Sequence, residues 1–379
     1  MKAKTIQGKS ATEIQFAVQE IVATDFKPSL AIVFMSFKQD GDAICDLLHK
    51  EGIQIFGSTT SGEFIGKEIS EGGIVIMLID FDPAAFKLLF FETSGSSVFE
   101  CCKQAGVEGK KLFSDPAFVI VSGWLQTDAE QVVKGIEAGA GMEVKVFGGL
   151  AGDDLALREP VVFTFGKKSI TGVLALIIDQ DKAEVNGIAT CGWKPIGTTK
   201  TVTRSEGNIV YTIDDKPALD LVIKYLGLDI DADSETDVVT NIGAYYPLQL
   251  ERENAVPVMR TAMLGNKHDR SLICAGNVLQ GSKIRFSLPP DFDVIDTVVA
   301  ECTELKEATQ GDADLVIMFS CISRYLSFGV MTGEEIERVE QVWEAPLIGF
   351  FTYGEFGKAR KGKHEFHNNT CCVLVMKEK

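Results

Sequence analysis

Positive charge is scarce in this 379-residue chain: 37 Lys and Arg stand against 54 Asp and Glu, for a net charge of −17. Nucleic acid and anionic membrane surfaces are polyanions, so this balance disfavours both as partners. Small ligands remain open, because a local pocket can oppose the global sign. Long apolar runs are missing as well. A run such as Ile74 to Ile79 fits a buried strand, whereas a bilayer span needs about 20 residues. Met1 to Ser10 is polar and lysine-bearing, without the apolar stretch of a secretory signal. These absences predict a cytoplasmic protein. The nine cysteines form no CxxC, and several sit in apolar surroundings, so neither a zinc site nor a disulfide framework is expected. No catalytic triad, phosphate loop, zinc motif or EF-hand spacing occurs, and no low-complexity linker divides the chain.

A glycine turn ending in an acid, by contrast, occurs three times. The copies are Phe56-Gly57-Ser58-Thr59-Thr60-Ser61-Gly62-Glu63, Phe147-Gly148-Gly149-Leu150-Ala151-Gly152-Asp153 and Ile348-Gly349-Phe350-Phe351-Thr352-Tyr353-Gly354-Glu355. The first and third share one gap, and the second is a residue shorter. Upstream of each lies an apolar run ending in Ser36, Ser122 or Ser320. Downstream lies another, Ile74 to Ile79, Val173 to Ile178 and Cys372 to Met376. A unit used three times predicts internal symmetry. Two readings of the acids stand side by side: they converge on one polar cleft, or the glycines make tight turns and the acids face solvent.

Local signals fill in the units. Ser10 and Glu13 form a capping box ahead of an apolar face of Ile14, Ala17, Val18, Ile21 and Val22. Thr127 and Glu130 repeat the pattern before Val132, Val133 and Ile136. A helix is expected at Asp40 to Lys50, a long one at about Phe292 to Thr309, and another starting at Thr332. Glu184 to Ile213 and Pro247 to Pro289 read as strands and hairpins, with Pro217 starting a helix that ends at Gly227. The expected fold is α/β: layered mixed β-sheets with helices, internally pseudo-repeated, with an antiparallel insertion in the middle. A soft boundary near Lys216 separates residues 1–216 from 217–379, and the halves are expected to pack closely.

Several segments carry a family likeness. Phe147-Gly148-Gly149-Leu150-Ala151-Gly152-Asp153-Asp154 resembles the signature of the N-terminal FIST domain, and Gly192-Trp193-Lys194-Pro195-Ile196-Gly197 resembles a segment between the two FIST halves. Ser320-Cys321-Ile322-Ser323-Arg324, the third glycine turn and Phe366-His367-Asn368-Asn369-Thr370 resemble the C-terminal FIST domain. The likeness covers nearly the whole chain, in the family's order. It implies an intracellular sensor of signal transduction that binds a small molecule, an amino acid being the favoured class, and that signals through a separate output protein. Some relatives are described as haem proteins that sense nitric oxide, which makes haem the alternative ligand; the absence of a Cys-x-x-Cys-His motif argues against covalent haem.

The candidate ligand-binding residues are Thr59, Thr60, Glu63, Asp153, Asp154, Cys321, Arg324, Tyr353, Glu355, His367 and Asn368. Arg324 could clamp a ligand carboxylate, or form an internal salt bridge to Glu355. Glu355 and Tyr353 could receive an ammonium, or clamp the turn. Of Asp153 and Asp154, one is expected to cap the turn while the other faces the cleft. His367 suits a ligand hydrogen bond, iron ligation, or a plain backbone bond. Cys321 reads as nucleophile or as inert core. His49, His268 and His364 are expected at the surface, and Trp193 in packing. No enzyme activity, metal or other cofactor is expected.

Overall fold

The computed structural model describes residues 1–93, 96–123, 128–227, 242–309 and 311–379. Unit one runs β1 (Lys2–Gly8), α1 (Ala11–Val22), β2 (Leu30–Ser36), α2 (Gly41–Lys50), β3 (Gln54–Thr60), β4 (Glu63–Ile65), β5 (Glu68–Ser70) and β6 (Ile74–Asp80). Unit two repeats this order with β7 (Phe86–Phe91), α3 (Val98–Leu112), β8 (Pro116–Ser122), α4 (Glu130–Ala140), β9 (Lys145–Leu150), β10 (Val162–Thr164), β11 (Lys167–Ser169) and β12 (Val173–Asp179). Unit three opens with β13 (Ala183–Thr190) and is then interrupted. The interruption holds β14 (Pro195–Glu206), β15 (Ile209–Ile213), β16 (Lys216–Pro217), α5 (Ala218–Leu226), β17 (Leu248–Arg252), β18 (Ala255–Arg260), β19 (Ala262–Gly265), β20 (Leu272–Cys274) and β21 (Lys283–Ser287). Unit three then resumes with α6 (Phe292–Thr309), β22 (Leu315–Cys321), α7 (Ile322–Phe328), α8 (Thr332–Trp343), β23 (Leu347–Thr352), β24 (Glu355–Lys358), β25 (His364–His367) and β26 (Cys371–Glu378).

Capping chemistry starts the helices where the sequence signals them. The Ser10 hydroxyl accepts the Glu13 N–H at 3.3 Å, and the Glu13 carboxylate reaches back to the Lys9 N–H at 2.8 Å. Asp40 accepts the Ala43 N–H at the head of α2. The capping residue read at Thr127 lies outside the described residues, and at α4 it is Asp128 that accepts the Glu130 N–H.

Three six-stranded sheets share one topology. Their orders are β1-β6-β2-β3-β10-β11, β7-β12-β8-β9-β24-β25 and β13-β26-β22-β23-β4-β5. In each sheet a single parallel pair (β2–β3, β8–β9 or β22–β23) sits among antiparallel neighbours. The two outer strands of each sheet come from a different unit. Unit one lends its hairpin β4–β5 to unit three, unit two lends β10–β11 to unit one, and unit three lends β24–β25 to unit two. The glycine turns are the crossover points, because each lies between a unit's own last parallel strand and the hairpin it gives away.

The inner faces of the sheets meet in one core, with Phe34, Phe56, Phe147, Leu176, Phe319 and Phe350 at its centre. Helices cover the outer faces: α1 and α2 on the first sheet, α3 and α4 on the second, α6 and α8 on the third. Strands buried on both faces read as continuous apolar runs, such as Leu30–Ser36 and Leu315–Cys321. The inserted segment forms a separate antiparallel sheet, β18-β17-β21-β14-β15-β20-β19, with β16 beside β15. Its two ends, β18 and β19, are consecutive in the chain, so the sheet curls until it is nearly closed. Register shifts in β14 accompany that curl. The insertion therefore lies inside unit three, after β13, rather than between units two and three. No helix among the described residues is long and apolar enough to cross a membrane.

Candidate functional site

The three glycine turns do converge, and they do so by bonding to one another. Ser61 N–H donates to Phe351 O at 3.1 Å, and Phe351 N–H to Gly62 O at 2.8 Å. Gly152 N–H donates to Thr59 O, Asp154 N–H to Thr60 O, and Leu150 N–H to Gly354 O. A side chain at Gly152 would strike the Ser61 backbone, which is why that position is bare. The meeting point is thus filled by protein, and the cleft expected there is replaced by a buried ring of crossing chains.

The acids of the turns serve that ring. Glu63, fully buried, accepts the Thr60 hydroxyl at 2.7 Å and the Gly73 N–H at 2.6 Å. Glu355 accepts the Thr352 hydroxyl and, at 3.3 Å, the Thr370 N–H. Burial raises the Glu63 carboxyl and pushes that of Glu355 up to about 8. Asp153 takes a different part. Its oxygens accept the N–H groups of Leu157, Arg158 and Glu159 and the hydroxyl of Tyr353. It thereby holds a loop in which Asp154, Leu155 and Leu157 all have left-handed φ, 52°, 65° and 53°. Asp154 accepts the Ser36 hydroxyl at 2.8 Å and pairs with Lys38 at 3.1 Å.

Arg324 is committed internally, and its partner is Glu335 rather than Glu355. The guanidinium binds both Glu335 oxygens and donates to Cys191 O and Asn369 O. It also lies over the rings of Trp193 and Phe328 at 5.0 and 4.7 Å. Burial opposes its charge, but Glu335 outweighs burial and raises its pKa. With its side chain 0% exposed, it has no face for a ligand. Cys321 is buried and burial raises its thiol, the inert case. His367 bonds Gly357 O through Nε2 and is 2% exposed. Axial ligation of haem by His367 does not fit, because the ring is enclosed and that nitrogen is already engaged. His364 is buried too, against Val146, contrary to its expected surface place. Asn368 is buried with neither amide atom bonded. Among the described residues no cluster of three His, Cys, Asp or Glu could hold a metal ion.

An open site lies elsewhere. Between α2 and the hairpin that unit two lends to unit one is a groove of about 630 Å³. Such a volume is within the usual range for small-ligand sites. Its floor is Met35, Cys45, Thr59 and Phe163; its walls carry Phe37, Phe165, Asp40, Asp42, Asp46, Glu159, Lys167 and Lys168. Of the sequence candidates, Thr59 alone lines this groove; its hydroxyl donates to Gly152 O and accepts Val161 N–H, fastening the loop that enters the hairpin. Gly57 leaves room for the Phe163 ring, which a Cβ would overlap. Phe165 stacks flat on His49, with centroids 3.5 Å apart. Burial, reinforced by Asp42 and Asp46, pushes the Cys45 thiol up to about 12. These lining residues come from segments about a hundred positions apart, so no local motif in the sequence could have disclosed them.

The counterpart space in unit two holds a side chain of the protein's own. Between α4 and hairpin β24–β25 sits Arg260 from the insertion, bonded to Glu130 at 2.6 Å and to Phe366 O at 3.1 Å. Between α8 and hairpin β4–β5, Lys67 pairs with Glu337 at the surface, as Lys168 of hairpin β10–β11 pairs with Asp42 of α2 in unit one.

Comparison with known proteins places this architecture. Residues 29–216 match the FIST N domain, and residues 218–358 match the FIST C domain. The chain belongs to the FIST family. An uncharacterized protein of Methanocaldococcus jannaschii is 24% identical over 368 residues, covering 86% of this chain and 68% of its own. FIST domains are associated with sensing in signal transduction.

Proposed function

We propose that this FIST protein is a binding component of a signalling system, not an enzyme. In this reading it works in the cytoplasm, takes up an amino acid or related small metabolite, and passes the signal to a separate output protein. The ligand lies in the unit-one groove rather than among the glycine turns. One observation carries this placement: in unit two the matched position is filled by the buried guanidinium of Arg260 on Glu130, whereas in unit one the space between α2 and the lent hairpin is an accessible groove. Ligand there would touch both α2 of unit one and a hairpin continuous with the Asp153 loop, so occupancy bears on the contact between units.

The test is a thermal-shift and calorimetric screen of amino acids and related metabolites against the purified chain and Thr164→Trp, which fills the groove. A saturable rise in melting temperature that disappears in Thr164→Trp supports the reading. A rise of the same size in the variant would move the site elsewhere, and no response to any compound would remove the sensor reading.

A further inference from the structure

The groove's chemistry narrows the ligand, on the premise that the groove is the ligand site. Four carboxylates line it, Asp40, Asp42, Asp46 and Glu159, against the two ammonium groups of Lys167 and Lys168. Lys168 is paired with Asp42 at 2.7 Å, and Lys167 lies 6.0 Å over the Phe90 ring with its charge unpaired. Asp40 is partly used as the cap of α2. The side chains of Asp46 and Glu159 have no hydrogen-bond or ion-pair partner among the described residues. An incoming carboxylate would meet a lining in which acids outnumber lysines, whereas an incoming cation would find two free carboxylates.

The second unit displays what such a space accepts. There the guanidinium of Arg260, 0% exposed, enters between the first turn of α4 and the lent hairpin. It bonds the Glu130 carboxylate and the Phe366 carbonyl, and its charge lies 5.9 Å over the Phe366 ring. Burial raises the Glu130 carboxyl, but Arg260 and Lys134 outweigh it and hold the group below its usual range, so the pair is ionic. Unit one offers acids on the helix that follows the first parallel strand and phenylalanines on the lent hairpin; there Lys168 takes Asp42, and Asp46 and the loop acid Glu159 are left over. At its rim Lys38 lies 5.6 Å over the ring of Phe37, in the loop between β2 and α2, so an aromatic face of the groove carries a cation already.

We propose that the unit-one groove is a site for an organic cation, a guanidinium or ammonium on an apolar stem. The charge sits at Asp46 and Glu159, and the stem lies along Phe163, Phe165 and Met35. A carboxylate on the ligand is not required.

Agmatine, arginine, citrulline and glutamate separate the possibilities when titrated calorimetrically into the whole chain at low and high salt. Citrulline keeps the shape of arginine and replaces its guanidinium with a neutral urea. Agmatine and arginine are expected to bind at least about tenfold more tightly than citrulline or glutamate, with affinity falling as salt rises. Asp46→Asn with Glu159→Gln should weaken agmatine by about tenfold or more. Both positions are exposed and unpaired, so an unchanged melting temperature will verify that this variant is folded. Equal binding of citrulline or glutamate, or an unaffected double variant, overturns the cation site and leaves ligand sensing in place. Failure of these cations while other metabolites bind does the same. Silence from every compound overturns both.

Discussion

Glu355 and two histidines make the fold's stability depend on pH in opposite directions. Burial pushes Glu355 up to about 8, from an ordinary 4.5. Between those values the folded chain keeps a proton that the unfolded chain releases, so stability falls as pH rises through this window. Burial lowers His364 and His367 to about 4, from an ordinary 6.5. The unfolded chain takes up those protons first, so stability is lost as pH falls from 6.5 towards 4. Stability therefore passes through a maximum, with the histidines setting its acid limb and Glu355, joined by the likewise raised Glu63, its alkaline limb. Melting temperatures measured from acid to alkaline pH should show that peak, and Glu355→Gln should flatten the alkaline limb by a few degrees. An unchanged limb would mean that Glu355 ionises freely in the folded state. Arg324 presents a different dependence. Arg324→Met strands a buried Glu335 and should cost about 3–5 kcal/mol in urea denaturation, with Glu335→Leu in the same chain recovering most of it. The sequence showed that Arg324 was special but pointed to Glu355, because the acid of the glycine motif was conspicuous. Glu335 lies inside α8, and only the bend between α7 and α8 brings it to the guanidinium.

Among the elements, those whose two faces are both buried were the easiest to read. Apolar runs such as Ile74–Asp80 and Cys371–Glu378 announce themselves, and capping residues mark α1 and α2. Edge elements did not. In β1 the lysines Lys2 and Lys4 alternate with half-buried residues, so a polar N-terminal stretch conceals a strand. The lent hairpins have strands of three or four residues, too short for periodicity to register. Yet one of them forms a wall of the groove, and its seating depends on a single bare backbone position. Gly57→Val would drive a methyl group into the Phe163 ring and lift β10 from β3. The expected cost is about 1–3 kcal/mol by chemical denaturation, with the proposed ligand binding lost more completely than stability. Asp153→Ala acts on the same element from its other end. It leaves the N–H groups of Leu157, Arg158 and Glu159 without their acceptor and should cost about 1–3 kcal/mol, with faster amide exchange over residues 154–161.

At the scale of the molecule, internal repetition was legible from three glycine turns, whereas their exchange was not, because spacing along a chain does not say to which sheet a strand will be added. The exchange makes the halves interdependent. A fragment of residues 1–216 would lack hairpin β24–β25 for its second sheet, and its own β4–β5 would have no β23 to join. It should show no cooperative melting alone, and should gain it when mixed with residues 217–379. Independent two-state melting of the fragment would contradict this account. The same exchange has another consequence. Three separate chains trading hairpins around a ring would be bound by symmetry to have three identical grooves, all open or all plugged. Joined into one polypeptide, the repeats are released from that identity. One can keep an open groove while a sibling fills its own with an arginine.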